Sequence, residues 1–169
     1  MLIISPRVLA AVLFPGLLIS HSALAVSVNI SSNLKASPCT VETTSTLSVV
    51  LPDIDMANLA AADSTSTAQS FDLTLKDCPT STTKVTATYN GTVSTLAANS
   101  FTNTGTATQL ALTLKDNTDV IIEPNTSRTE SIDSVTKKAT FTQKVQMYSK
   151  GKVQAGTVIG NIVVGFTYQ

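Results

Sequence analysis

A two-residue period runs through this sequence. Phe71, Leu73 and Leu75 alternate with Asp72, Thr74 and Lys76. Val85, Ala87 and Tyr89 alternate up to Asn90-Gly91, Leu110, Leu112 and Leu114 up to Lys115-Asp116-Asn117, and Phe141, Val145 and Met147 lead towards Lys150-Gly151. Successive side chains of an extended strand point to opposite faces, so each of these segments is suited to burying one face of a sheet. Composition reinforces the pattern. The chain holds 27 threonines, all beyond residue 39, together with abundant Val and Ser. β-Branched residues lose χ1 freedom in a helix and fit the pleated surface of a strand.

Turn signals arrive roughly every dozen residues, as in chains built of many short strands. Sustained helical periodicity is missing; only residues 56–62, rich in alanine, predict a short helix or an irregular turn. The pattern predicts an all-β sandwich of the immunoglobulin kind, in one domain without a linker. Leu-Thr-Leu-Lys-Asp occurs twice, at 73–77 and 112–116, and reads as two strands that end alike rather than as an internal repeat.

The N-terminus has a different character. Arg7 precedes an apolar run over residues 8–19, broken at Pro15-Gly16, and Ala23-Leu24-Ala25 supplies the small-x-small pattern of a signal-peptidase site. A membrane anchor needs about 20 uninterrupted apolar residues, more than this run offers. Residues 1–25 are therefore expected to be a cleaved signal peptide. Export favours a disulfide between Cys39 and Cys78, the only cysteines. The alternatives are a two-thiolate metal site, which lacks further ligands, and two free thiols.

Several kinds of chemistry are disfavoured. Eleven basic and eleven acidic residues give no net charge, and charged residues make up 13% of the chain. Nucleic acids and anionic membranes require concentrated Lys and Arg. Cleavage after Ala25 would remove His21, the only histidine, and with it Ser-His-Asp or Cys-His catalysis and His-ligated metals. Asp72, Asp77, Asp116 and Asp119 fall at strand ends and turns, where solvated turn formation is their expected role. Asp53-Ile54-Asp55 is too sparse for a calcium loop. The sequons at Asn29, Asn90 and Asn125 are what chance gives in a Thr-rich chain, and Lys137-Lys138 reads as a loop. No cofactor and no enzymatic activity are expected.

Both ends of the region after the leader read as extended strands. In residues 26–34, Val26, Val28, Ile30 and Leu34 share one face, with the small Ser32 between them. In residues 156–169, Val158, Ile162, Val164, Phe166 and Tyr168 share one parity, interrupted by Gly160. Ile159 and Val163 lie on the other, which predicts partial cover on both faces.

These parts together resemble the pilins of bacterial chaperone–usher fimbriae, in particular the minor tip subunits of type 1-like fimbriae. The resemblance spans residues 26–169. It is carried by the alternating arm leading to Pro38-Cys39-Thr40-Val41 and by the motif from Phe71 through Leu73-Thr74-Leu75-Lys76-Asp77-Cys78-Pro79. Asn103-Thr104-Gly105-Thr106-Ala107-Thr108, Gly156 fourteenth from the end, and the penultimate Tyr168 complete it. It implies an incomplete immunoglobulin-like sandwich over residues 35–169 that lacks its last strand and is completed by a donor strand from another subunit. A periplasmic chaperone would first fill the groove, pairing with the strand that carries Gly156, Val158, Ile162, Val164, Phe166 and Tyr168. At the outer-membrane usher, the arm of the next subunit would replace it. By the same resemblance, residues 26–34 are the donor arm, through Val26, Val28, Ile30, Ser32 and Leu34, although family arms carry Gly where Ser32 stands.

Burying the four apolar arm residues would contribute about 6–12 kcal/mol before ordering costs. The implied function is a structural subunit of an adhesive fimbrium on the bacterial surface, a tip adaptor with neighbouring pilus subunits as partners. The alternatives are a major rod pilin and a receptor-binding adhesin. An adhesin of this family would carry an extra lectin domain, for which residues 26–169 leave no room.

Overall fold

The alternating segments become the long strands of two antiparallel sheets. The computed structural model describes residues 38–42 and 46–169; the expected leader (1–25) and donor arm (26–34) lie outside the described residues. Nine strands are found among the latter: β1 (Thr40–Val41), β2 (Gln69–Lys76), β3 (Lys84–Asn90), β4 (Phe101–Thr102), β5 (Thr108–Asp116), β6 (Ile121–Ile122), β7 (Thr126–Ser131), β8 (Ala139–Gln154) and β9 (Val163–Tyr168). The first sheet runs β1-β2-β8-β5-β4, with β6 also on β5, and the second runs β7-β3-β9. The alanine-rich segment forms only a 3-10 turn, Met56–Leu59, because Asp55 caps the Ala57 N–H at 2.9 Å and Leu59 alone of its four residues is buried.

Period-2 patterning sets the register. Leu73 pairs with Phe141 and Leu75 with Ala139, while Leu114 pairs with Val145 and Leu112 with Met147, so the apolar sets of three strands share the inner face. From the opposite sheet, Val85, Ala87 and Tyr89 of β3 are completely buried against them. The second copy of Leu-Thr-Leu-Lys-Asp ends as the sequence suggests. The Asp116 carboxylate accepts hydrogen bonds from the N–H groups of Thr118 and Val120, and Asp119 adopts a positive φ of 67°. Both residues build a turn.

One turn signal is overridden. β8 continues through Lys150-Gly151 to Gln154, and Gly151, at φ 86°, lies opposite a register shift between Thr108 and Leu110 of β5. A bulge absorbs the glycine there without ending the strand.

Cys39, just before β1, is disulfide-bonded to Cys78, just after β2, with the Cα atoms 4.3 Å apart and both residues buried. β1 pairs with β2 through two residues only, so the covalent link supplies what its short ladder cannot. The sequence separation is 39 residues. Replacing both cysteines with Ser is therefore expected to cost about 4 kcal/mol of unfolding free energy and to lower Tm by on the order of 10 °C, as scanning calorimetry would measure.

Candidate functional site

The second sheet is narrower than the first, and β9 forms one of its edges. β9 pairs with β3 over Val163–Tyr168, and no described strand lies on its other side. Along that edge its outward N–H and C=O groups have no strand partner among the described residues, which is the geometry that accepts an added strand. The side chains tell the same story. Val85, Ala87 and Tyr89 of β3 are fully buried, whereas their β9 partners Tyr168, Phe166 and Val164 are only half-buried. Inward-facing residues at one level of a sandwich should be equally covered, so cover is missing on the β9 side.

Beside this edge lies a groove of about 1450 Å³ between the sheets. Leu73, Leu112, Leu114 and Met147 of the first sheet form its floor, Val164 and Phe166 one wall, and the segment 49–54 the other. Phe166 packs on Phe141 with ring centroids 6.1 Å apart. Tyr168 Oη lies 3.5 Å from the Cys39 carbonyl oxygen, so the end of β9 meets the start of β1 across the sandwich. Burial pushes the Tyr168 hydroxyl above its ordinary pKa.

The residues expected on the groove strand do face one way: Val158, Ile162, Val164, Phe166 and Tyr168 are all half-buried and packed against the core. Two expectations need correction. The segment 156–162 belongs to no ladder; its backbone bonds instead to the 103–107 loop. Thr104 N–H donates to the Ile159 carbonyl at 2.8 Å and Ala107 N–H to the Thr157 carbonyl at 3.0 Å, while Ile159 N–H donates to Asn103 Oδ1 at 2.8 Å. The opposite face is also uncovered, with Ile159 49% and Val163 69% exposed.

The two motifs of the sequence, 103–108 and the one beginning at Gly156, thus hold each other. A Cβ on Gly156 would stand 2.3 Å from Ala107 N, and one on Gly160 would stand 2.3 Å from Leu112 Cδ1. A small residue is required at 156, where the segment crosses loop backbone, whereas at 160 the Leu112 side chain would have to turn aside.

Sequence reasoning missed one residue of the site. Gln143 occupies an inward slot of β8 between Phe141 and Val145, is 1% exposed, and lines the groove. Its Nε2 donates to Tyr89 Oη across the sandwich, whereas its buried Oε1 has no partner. Burial pushes the Tyr89 hydroxyl far above its ordinary pKa, so it stays protonated. The signal was there to read: a polar residue in an apolar alternation. Among the described residues, no cluster of three or more His, Cys, Asp or Glu could hold a metal ion, and no helix is long and apolar enough to cross a membrane.

Comparison with known proteins agrees with this geometry. The profile of the family described as "Fimbrial protein" matches residues 28–169. An uncharacterised fimbrial-like protein of Escherichia coli K12, YdeR, is 32% identical over 145 residues, covering 85% of each chain. Protein FimG of the same organism is 32% identical over 147 residues, covering 85% of this chain and 84% of its own. Among solved structures, the P pilus rod subunit PapA shares the fold with a TM-score of 0.66 at 12% identity, over 79% of this chain and all of that one. The CupB6 tip adhesin of Pseudomonas aeruginosa does so with a TM-score of 0.67 at 20% identity, over 78% of this chain and 38% of the adhesin.

The glycine contacts give a paired test. Gly156→Ala should cost about 1–3 kcal/mol, because backbone must move to admit the Cβ. Gly165→Ala, whose Cβ would meet nothing within 4 Å, should leave Tm within experimental scatter, both read by thermal unfolding.

Proposed function

The chain belongs to the fimbrial protein family, and from that premise we propose that it is a tip adaptor whose groove is filled by a strand from another subunit. Family membership makes it a structural, non-enzymatic subunit of chaperone–usher pili, displayed on the cell surface and assembled with other pilus subunits. The finer reading is carried by one observation: the free edge of β9 beside an apolar groove, with inward side chains left half-covered. An extended segment entering there pairs its backbone with β9 and fills the groove with alternate side chains.

In this reading a periplasmic chaperone supplies the strand first. At the outer-membrane usher, the arm of the incoming subunit replaces it. Residues 26–34 do the same for the neighbouring subunit, with Val26, Val28, Ile30 and Leu34 inserted and Ser32 between them. The adaptor position is supported by the short arm, the Pro38-Cys39-Thr40 sequence and the resemblance to minor tip subunits.

Two experiments test this. Thermal unfolding compares the chain from Val26 with a version carrying a second copy of residues 26–34 after Gln169. A rise in Tm of 20 °C or more, on the order of 5–10 kcal/mol of added burial, is expected; equal melting would remove the strand-acceptor reading. In cells, immunogold labelling should place a few copies of the chain at the pilus tip. The Ile30→Asp chain should be absent from pili, since a charge would enter an apolar groove. Label along the whole shaft would make it a rod subunit instead.

A further inference from the structure

The groove is not uniformly apolar. At Gln143 a buried amide spends one polar atom on Tyr89 Oη and leaves the other without a partner. Turning the amide end for end does not remove the difficulty. Oε1 would then accept from the Tyr89 hydroxyl, and Nε2 would be the atom left over, needing an acceptor in place of a donor. Buried polar atoms are nearly always hydrogen-bonded, and an orphan is destabilising. An apolar side chain set beside it would leave that loss uncorrected.

Register locates the place from which a partner can come. Tyr89 pairs with Val164 of β9, and Tyr89 reaches Gln143 across the sandwich, so Gln143 stands at the level of Val164. Val164 is a groove-wall residue of the free edge. On a strand laid along that edge, the inward residue beside Val164 stands at the level of Gln143, which lines the same groove. If, as proposed above, an extended strand from another subunit fills the groove, we infer that this strand carries a serine or threonine at that position, hydrogen-bonded to the Gln143 amide. A hydroxyl both donates and accepts, so it serves either orientation of the amide.

Gln143 is then a specificity-determining residue. The apolar lining accepts many alternating strands, while Gln143 rejects those that are apolar throughout. The proposed donor segment 26–34 of this chain has that pattern in its sequence, with Ser32 set among Val26, Val28, Ile30 and Leu34.

The test uses nine-residue synthetic strands based on residues 26–34, added to the full chain. One strand has valine at all five inward positions; five others place serine at one of them. Affinity is read by titration and by the shift in Tm. One serine position is expected to bind about tenfold tighter than the other four, an advantage of one recovered hydrogen bond. That advantage should vanish in Gln143→Met, which keeps the volume and removes the amide. Serine penalised equally at all five positions, or an advantage that survives Gln143→Met, would overturn the inference. Should Gln143→Met not fold, the position dependence in the wild-type chain decides by itself. If no strand binds, the all-valine one included, the strand-acceptor reading fails first and takes this inference with it.

Discussion

Every backbone N–H and C=O in a sheet must find a partner, and among the described residues no strand stands on the outer side of β9. Most other features of the site follow from that open side. The inward residues of β9 are half-covered because no neighbour stands beside them, and the groove is apolar because it is core without its last layer. A soluble chain would normally blunt such an edge with charge, proline or a bulge. Here Val163–Tyr168 carries no charged residue and no proline, and its outward Gly165 opens on empty space. The edge is kept free.

A sandwich with an open side needs other devices to hold its halves together. The disulfide fastens β1 to the end of β2, where a two-residue ladder would fray. The 103–107 loop grips the 156–160 segment through backbone bonds and Asn103, which fixes the approach to β9 before the strand begins. Glycine at 156 permits that close crossing. β8, sixteen residues long and bonded to both β2 and β5, forms the spine to which these parts attach. The first sheet thereby carries the longer ladders, while β9 of the second has no described strand on its outer side.

The strands were legible because half-buried sheets write a period of two into the sequence. β2, β3, β5 and β8 all sit where Phe71–Leu75, Val85–Tyr89, Leu110–Leu114 and Phe141–Met147 alternate. The 156–162 segment was harder to read: it keeps the same parity as β9, yet its hydrogen bonds go to a loop, and alternation does not reveal a partner. Lys150-Gly151 looked like a turn because a glycine at positive φ serves a bulge as well as it serves a hairpin. Gln143 escaped notice for an opposite reason. Its neighbours Phe141, Val145 and Met147 satisfy the pattern so well that they mask the one polar residue sharing their parity, which lines the groove.

The meeting of Tyr168 with Cys39 has a mechanical meaning for a subunit of a surface fibre. With residues 26–34 linking subunits as proposed, tension arriving before Cys39 enters the domain at a point adjacent to the end of β9. It need not peel the two-residue β1 ladder away, since the disulfide passes the load directly to the end of β2 and from there into the long β2–β8 pairing. In the proposed fibre the load leaves through the strand held beside β9, so the disulfide and the β2–β8 ladder lie between the two points of attachment.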